Sequence, residues 1–464
     1  MMSNPGLQQG ATRKLAEHAS ALTYEMLPQE LVDLTKRCIL DTLGVTLGAS
    51  CLSPKGKDLA DYVYEHGGKA ESTVLGFGFK APAGAAVFVN GSLGHMLDYD
   101  DVGRTGHLSI VTIPVAFALA ERKGGIGGKD FIAAVAAGMD VMTRLGAAIT
   151  IPQWISNEGW FATQLLGYIA GSATAGHVLG LDADQMENAF GNAFTQTAGS
   201  RQMAVDESTD LRAMQAGFSG QGAVLAADLA QRGIIGSKAV IEGKYGFFKT
   251  YVRDEAPDWQ ALTGELGTHF PVLGSHGFKV WPHCAHIRPC TAAILQLRRD
   301  GVDPKAVQQI DIVGGSQATQ LLSTPIESKR RPQAAIDAKY SVPFTSAVAI
   351  TKGNVTLRDY TPEGLSDPVV LAMADRIQYR PDPTSNSLMP TVEIRLKNGD
   401  TRAFQVQSVP GDANEPVGWA EIEAKFRDCM SFVAVEPSNV ELMVERIANL
   451  EKMADATELL NVLN

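Results

Sequence analysis

The chain has 464 residues, 45% hydrophobic and 20% charged, with 40 basic against 51 acidic side chains and a formal net charge of −11. At about 150 residues per domain this gives roughly two or three domains, long enough to bury a large core without staples. The composition excludes a disulfide-dense miniprotein, a collagen-like chain and a disordered tail, and the absence of a basic run beyond Lys329-Arg330-Arg331 sets nucleic acid aside.

The first twenty residues contain no apolar stretch, so no secretory signal is read and a cytoplasmic location is expected. The five cysteines, Cys38, Cys51, Cys284, Cys290 and Cys429, fit neither C-x-x-C nor a zinc spacing and are expected to be reduced thiols. From Pro28, apolar residues recur at helical spacing (Leu31, Val32, Leu34, Ile39, Leu40, Leu43). Small, apolar or periodic stretches predict further helices over Ala81–Leu97, Ile110–Arg122 and Lys129–Thr143. The segment Ala162–Leu181 is about as long as a membrane span and carries no formal charge, yet its Gly, Ala, Ser and Thr content reads as a buried helix. Asp182 reads as an N-cap, and Leu211–Arg232 as a long helix closed by Gly233. No strand signal of comparable strength appears before residue 270.

Beyond that point a helix is predicted over Thr291–Asp300 and a strand over Val307–Val313, followed by a helix over Ile336–Thr351. Thr391–Leu396, Asn398-Gly399 and Thr401–Val406 spell a hairpin with a favoured turn dipeptide. Helices return over Ala420–Cys429 and Asn439–Leu463. The expected fold is mainly α. A large all-α domain spans 1–269 and is completed by 409–464, and a smaller α+β lid domain spans 270–408.

Three polar groups stand out. Asn90 through His95 to Asp98-Tyr99-Asp100-Asp101, followed by His107, sets three carboxylates and two histidines in apolar surroundings. Such carboxylates are costly to bury unless paired or used, and neighbours push their pKa values apart. His95 and Asp98, three apart, are expected on one helical face. The second group, Lys279 through His283, Cys284 and His286 to Arg288 and Cys290, suits a carboxylate clamp better than zinc, because its His and Cys are too close in sequence to close one tetrahedral site. The third, Ser200-Arg201 through Asp206, Glu207 and Ser208 to Arg212, opens a helix whose first N–H groups suit an anion. No dinucleotide, Walker A, G-x-S-x-G or H-E-x-x-H motif occurs, so no nucleotide, flavin or pyridoxal cofactor and no metal is expected.

At these same segments the chain resembles the MmgE/PrpD family, which holds 2-methylcitrate dehydratases, cis-aconitate decarboxylases and iminodisuccinate epimerases. The matching pieces are Asp41-Thr42-Leu43-Gly44, Asn90-Gly91 through His95 to Asp101, Gly106-His107 before Ile113-Pro114-Val115, Leu225–Gly233, Glu242–Phe248 and Phe278–Pro282. The resemblance implies a homodimer without a cofactor, acting on a small polycarboxylate. It places Asp98 on the first acid of the family's D-F-D-D element, His107 on the histidine that follows, and Lys279 on the lysine before the Pro-containing loop. Three positions differ. Phe161 stands where a histidine is common, Arg212 with Gln215 where lysine and histidine are common, and Cys284, beside His283 and His286, where some members have histidine.

The expected function is a cofactor-independent dehydratase-type lyase on a small hydroxy-di- or tricarboxylate. Asp98, His107 and Lys279 are its expected catalytic residues, with either His107 or Asp98 taking the proton. Arg212, Arg201, Asp101, His283, Cys284 and His286 are expected to bind substrate. Epimerisation or decarboxylation of a related acid, or a helical dimeric scaffold without chemistry, are the alternatives. No nucleic-acid or membrane partner is expected.

Overall fold

The structure is a computed structural model that describes residues 5–149, 158–205, 209–253, 256–384, 387 and 389–463. Asp206, Glu207 and Ser208 of the third polar group lie outside the described residues. Among the described residues the fold is mainly α, with few and short strands. The chain divides into two compact units, Met1–Gly277 with Gly418–Asn464, and Phe278–Val417.

The first unit is built on helices α1 (Ala11–Ala21), α2 (Gln29–Leu52), α3 (Pro54–His66), α4 (Ala83–Met96), α5 (Ser109–Lys123), α6 (Gly128–Ala147), α7 (Ala162–Leu179), α8 (Ala183–Phe194) and α9 (Leu211–Gln231). Asp182 caps α8 as expected, in a reciprocal capping box with Gln185. Helix α7 is buried all round except at His177 and Leu179, packed among α5, α6, α8 and α9. A helix without a polar face is stable only if neighbours cover it on every side, which is the arrangement seen. No helix among the described residues is long and apolar enough to cross a membrane.

Helices α4 and α9 cross at Gly91 and Gly217. A Cβ on Gly217 would lie 2.3 Å from the Phe88 carbonyl oxygen, and one on Gly91 3.1 Å from the Gly217 nitrogen. Asn90 of the first polar group serves the fold. Its amide donates to the Thr73 carbonyl and accepts from the Leu75 N–H, each at 2.9 Å. These bonds anchor an antiparallel hairpin, β1 (Ser72–Val74) and β2 (Phe79–Ala81), that the sequence reading lacks. With β3 (Asp101–Gly103), it makes the first 269 residues not strictly all-α. Three-residue strands alternate over too few positions to be seen as a period.

His177 donates from Nδ1 to the Ala19 carbonyl at 2.9 Å, which fixes that nitrogen as the N–H. Burial holds its pKa below the ordinary 6.5. Because the folded value is depressed, the stability it contributes is complete above about pH 6.5 and is lost as pH falls through the folded value. His177→Gln keeps a donor for Ala19. It is expected to flatten the acid-side loss of stability below pH 6.5 by up to about 1.4 kcal/mol per pH unit, read from urea midpoints across pH 5–7.

The second unit carries a four-stranded sheet of order β5-β4-β6-β7, with β4 (Val307–Val313), β5 (Ile377–Arg380), β6 (Thr391–Leu396) and β7 (Thr401–Phe404). β4 runs parallel to β5 and antiparallel to β6, and β6–β7 is the hairpin that Asn398-Gly399 predicts, with Gly399 at φ +93°. Helices α10 (Arg288–Arg299) and α11 (Val342–Lys352) contribute Ile294, Phe344 and Val348 to the same core as Ile310, Ile312, Val392 and Ile394 of the sheet. The helix expected over Ile336–Thr351 is broken. Ala335–Lys339 ends one helix, and Ser341 caps the next by accepting the Phe344 N–H at 3.0 Å. Pro343, without an N–H, fits only a first turn, so the break falls just before it.

The final segment returns to the first unit as α12 (Trp419–Met430) and α13 (Pro437–Ala448), and the tail beyond Asn449 is 3₁₀ rather than one helix to Leu463. α12 packs on α2 where Gly44 and Gly48 remove side chains from the contact. A Cβ on Gly44 would stand 2.9 Å from Phe426 Cδ2, and one on Gly48 3.4 Å from Cys429 Cβ. Gly44→Ala is therefore expected to cost about 1–3 kcal/mol of stability by overpacking, measured by urea unfolding.

Candidate active site

The candidate site grows from the end of α4. The helix stops at Met96, and Asp98, whose N–H donates to the His95 carbonyl at 2.9 Å, takes φ +49°. That left-handed value is uncommon outside glycine and is tolerated best by short polar residues such as Asp. The chain then turns into β3 and reaches α5 through His107. Asp98 is 3% exposed, while Asp100 and Asp101 are fully buried, so none of the three carboxylates is a solvated helix end.

The turn changes which partners meet. Asp98 lies beyond the helix, and the carboxylate that faces His95 belongs to Asp100, with His95 Nδ1 3.0 and 3.1 Å from its two oxygens. His107 Nδ1 lies 2.7 Å from Asp100 Oδ2 and 2.7 Å from the Asp101 carbonyl oxygen. The two imidazole rings are 4.5 Å apart. Asp100 thus sits between two imidazoles. A carbonyl only accepts, so His107 carries its proton on Nδ1, and in the neutral ring Nε2 is the basic nitrogen. Burial lowers the His95 pKa, offset in part by Asp100. The His107 side chain is 15% exposed against 2% for His95, so His107 is the more solvent-accessible end of the group.

Asp101 has a structural task as well as its place beside His107. Its Oδ2 accepts the Ser109 N–H at 3.0 Å and the Ser109 hydroxyl at 2.7 Å, capping α5 from β3. Thr163 Oγ1 on α7 accepts the His107 N–H at 3.1 Å. Among the described residues two clusters have the composition of a metal site, His95–Asp100–His107 and Cys38–Asp101–His276. In the first, the carbonyl bond of His107 Nδ1 requires a proton on the nitrogen that would ligate, which does not suit a metal. A cavity of about 460 Å³ adjoins the same stretch, walled by Arg104, Thr105, Thr143, His269 and Ser275 among others; His107 is not in its wall.

Of the other expected residues in this unit, Arg212 lies in the first turn of α9, part-buried. Arg201, also part-buried, donates its backbone N–H to the Gly159 carbonyl at 2.7 Å, in a segment that also pairs Phe161 N–H with the Gly199 carbonyl at 2.8 Å. In the second unit Lys279 is 1% exposed. His283 is fully buried, stacked on Trp281, with Nδ1 3.1 Å from the Cys284 carbonyl and Nε2 3.1 Å from Thr291 Oγ1, so both ring nitrogens serve the unit itself. Cys284 is buried, and His286, in the 3₁₀ turn that follows it, is exposed. The role of Asp100 as the shared acceptor escaped the sequence reading. Its signal was present as histidines five residues before it and seven after, a spacing that is informative only once the helix is known to end at Met96.

These features define a mainly helical protein with a buried imidazole–carboxylate group. Residues 13–260 match the MmgE/PrpD N-terminal domain and residues 281–450 the MmgE/PrpD C-terminal domain. The chain belongs to the MmgE/PrpD family. It is 24% identical to the cis-aconitate decarboxylase-like protein oryM of Aspergillus oryzae, over 98% of this chain and 97% of that protein. It is 26% identical to the cis-aconitate decarboxylase of Aspergillus terreus, over 98% and 96%. It is 24% identical to the mitochondrial 2-methylcitrate dehydratase of Yarrowia lipolytica, over 81% and 75%. These relatives are named as enzymes or as enzyme-like proteins.

Proposed function

We propose that the protein is a lyase of dehydratase type acting on a small hydroxy-di- or tricarboxylate. The observation that carries this reading is the tautomer of His107. Asp100 and the Asp101 carbonyl hold the proton on Nδ1, which leaves Nε2 as a base at the most exposed end of a buried group. In the reaction Nε2 takes a proton from the carbon next to a carboxylate. The C–H electron pair becomes the new C=C bond, the neighbouring C–O bond breaks, and the departing hydroxide takes a proton and leaves as water. Asp100 stays ionised and stabilises the imidazolium that forms, as a buried carboxylate beside a catalytic imidazole does. Asp98 is assigned the donor to the leaving hydroxide, and Lys279 and Arg212 the substrate carboxylates.

Decarboxylation is the second reading, favoured by the names of the relatives that match over nearly the whole chain. The test is incubation of the purified protein with citrate, 2-methylcitrate and cis-aconitate. Absorbance from a new conjugated C=C bond, absent with His107→Ala and reduced with Lys279→Met, is the expected result. Release of CO₂ from cis-aconitate without dehydration of the hydroxy acids would replace the first reading by the second. No conversion of any of the three, and no solvent deuterium in the recovered acids, would sink both.

A further inference from the structure

The turn that carries Asp100 is held from outside by a side chain far away in the sequence. Lys425 on α12 donates from Nζ to the Tyr99 carbonyl, its Nζ lies 4.1 Å from the centre of the Tyr99 ring, and it pairs with Asp41 Oδ1 on α2 at 2.5 Å. Asp41, Tyr99 and Lys425 are all 5% exposed or less. The packing that brings them together is written in the same two helices. Asp41, Gly44 and Gly48 share one face of α2, and Phe426 and Cys429 of α12 fill the space the glycines leave, so that the neighbouring Lys425 reaches Asp41.

A buried ion pair is weak evidence for stability, because well-packed apolar residues of the same volume often serve as well. An apolar pair would lack the donor to the Tyr99 carbonyl. That carbonyl adjoins Asp100, and Asp100 orients both imidazoles. We propose that Lys425 is a positioning residue of the proton-transfer group, fixing through the Tyr99 carbonyl the turn that aims Asp100 at His107. The inference rests on the function proposed above for its kinetic consequence, but its geometric content stands apart from any substrate. Burial raises the Asp41 carboxyl to about 7 even though Lys425 pulls it down, so removing Lys425 raises it further and favours its neutral form.

The experiment compares Lys425→Met with Lys425→Met/Asp41→Asn in the full-length protein labelled with ¹⁵N-histidine. The ¹⁵N shifts read the imidazole tautomers, thermal melting reads stability, and turnover is measured on whichever polycarboxylate the panel identifies. The single variant leaves Asp41 without its cation and is expected to melt lower. The double variant removes both charges and is expected to recover most of the melting temperature. In both, the Nδ1–H form of His107 is expected to give way to a mixture of tautomers, with kcat down about 100-fold and KM little changed, the scale of a small misplacement at a reacting centre. Return of the single Nδ1–H tautomer and of turnover together with stability in the double variant would show a merely structural pair and overturn the proposal. If no polycarboxylate is converted, the tautomer measurement alone decides it: an unchanged His107 signal in Lys425→Met refutes positioning, whatever the reaction proves to be.

Discussion

Asp100→Asn is expected to lower turnover by roughly 10²–10⁴-fold while the protein remains folded, the range that one correctly placed acid or base contributes. Asp100 now accepts from two Nδ1–H groups. An asparagine of the same shape offers one acceptor oxygen and an NH₂ that donates. One imidazole must then face a donor and move its proton to Nε2, where it is no longer a base. If His107 is that ring, proton abstraction stops. If His95 is, the charge that stabilises the His107 imidazolium is still gone. His107→Ala should fall in the same range, and the double variant should lose little more than either single one, because residues acting as a unit are not additive. Stopped assays of the chosen polycarboxylate, with circular dichroism as the control for folding, check this. Turnover within threefold of the unaltered protein in Asp100→Asn would remove the carboxylate from the mechanism.

Arg144→Met is expected to destabilise the first unit by about 3–5 kcal/mol, the largest stability effect of any substitution considered. Arg144 and Asp140 on α6 are both fully buried, with Nε 2.7 Å from Asp140 Oδ2, and His18 Nε2 reaches the same oxygen at 2.8 Å. The guanidinium also donates to the carbonyls of Leu262, at 3.4 Å, Gly264, at 2.9 Å, and His269. Methionine replaces the stem but leaves a buried carboxylate facing only His18 and strips three carbonyls of their donor. Asp140→Asn should cost less than Arg144→Met, since Arg144 keeps its carbonyl partners. Urea unfolding followed by tryptophan fluorescence gives both values, and a double-variant cycle isolates the pair from the carbonyl contacts.

The helices were legible because their period runs for ten residues or more. The apolar spacing from Leu31 to Leu43, the capping pair Asp182 and Gln185 and the Gly233 stop each repeat a local rule that the fold obeys. The β6–β7 hairpin was legible for the same reason, through Asn398-Gly399. The β1–β2 hairpin was not, because its strands are three residues long and are held by Asn90 from another element. The first polar group is visible in the sequence as a cluster, but its internal pairing is not. The three-residue spacing places His95 and Asp98 on one face of a continuing helix, whereas the left-handed Asp98 ends that path and delivers Asp100 instead.

By itself, then, the order of residues determined the helical periodicity, the caps and turns, and which stretches are too polar for their apolar surroundings, since each depends on neighbours within about one or two turns. Tertiary structure alone decided which carboxylate meets which imidazole, that Asp101 caps α5, and that Lys425 lies against a turn 326 residues earlier. Those choices depend on where a helix stops and on how closely two helices approach, and both are set by packing between segments that no local pattern connects.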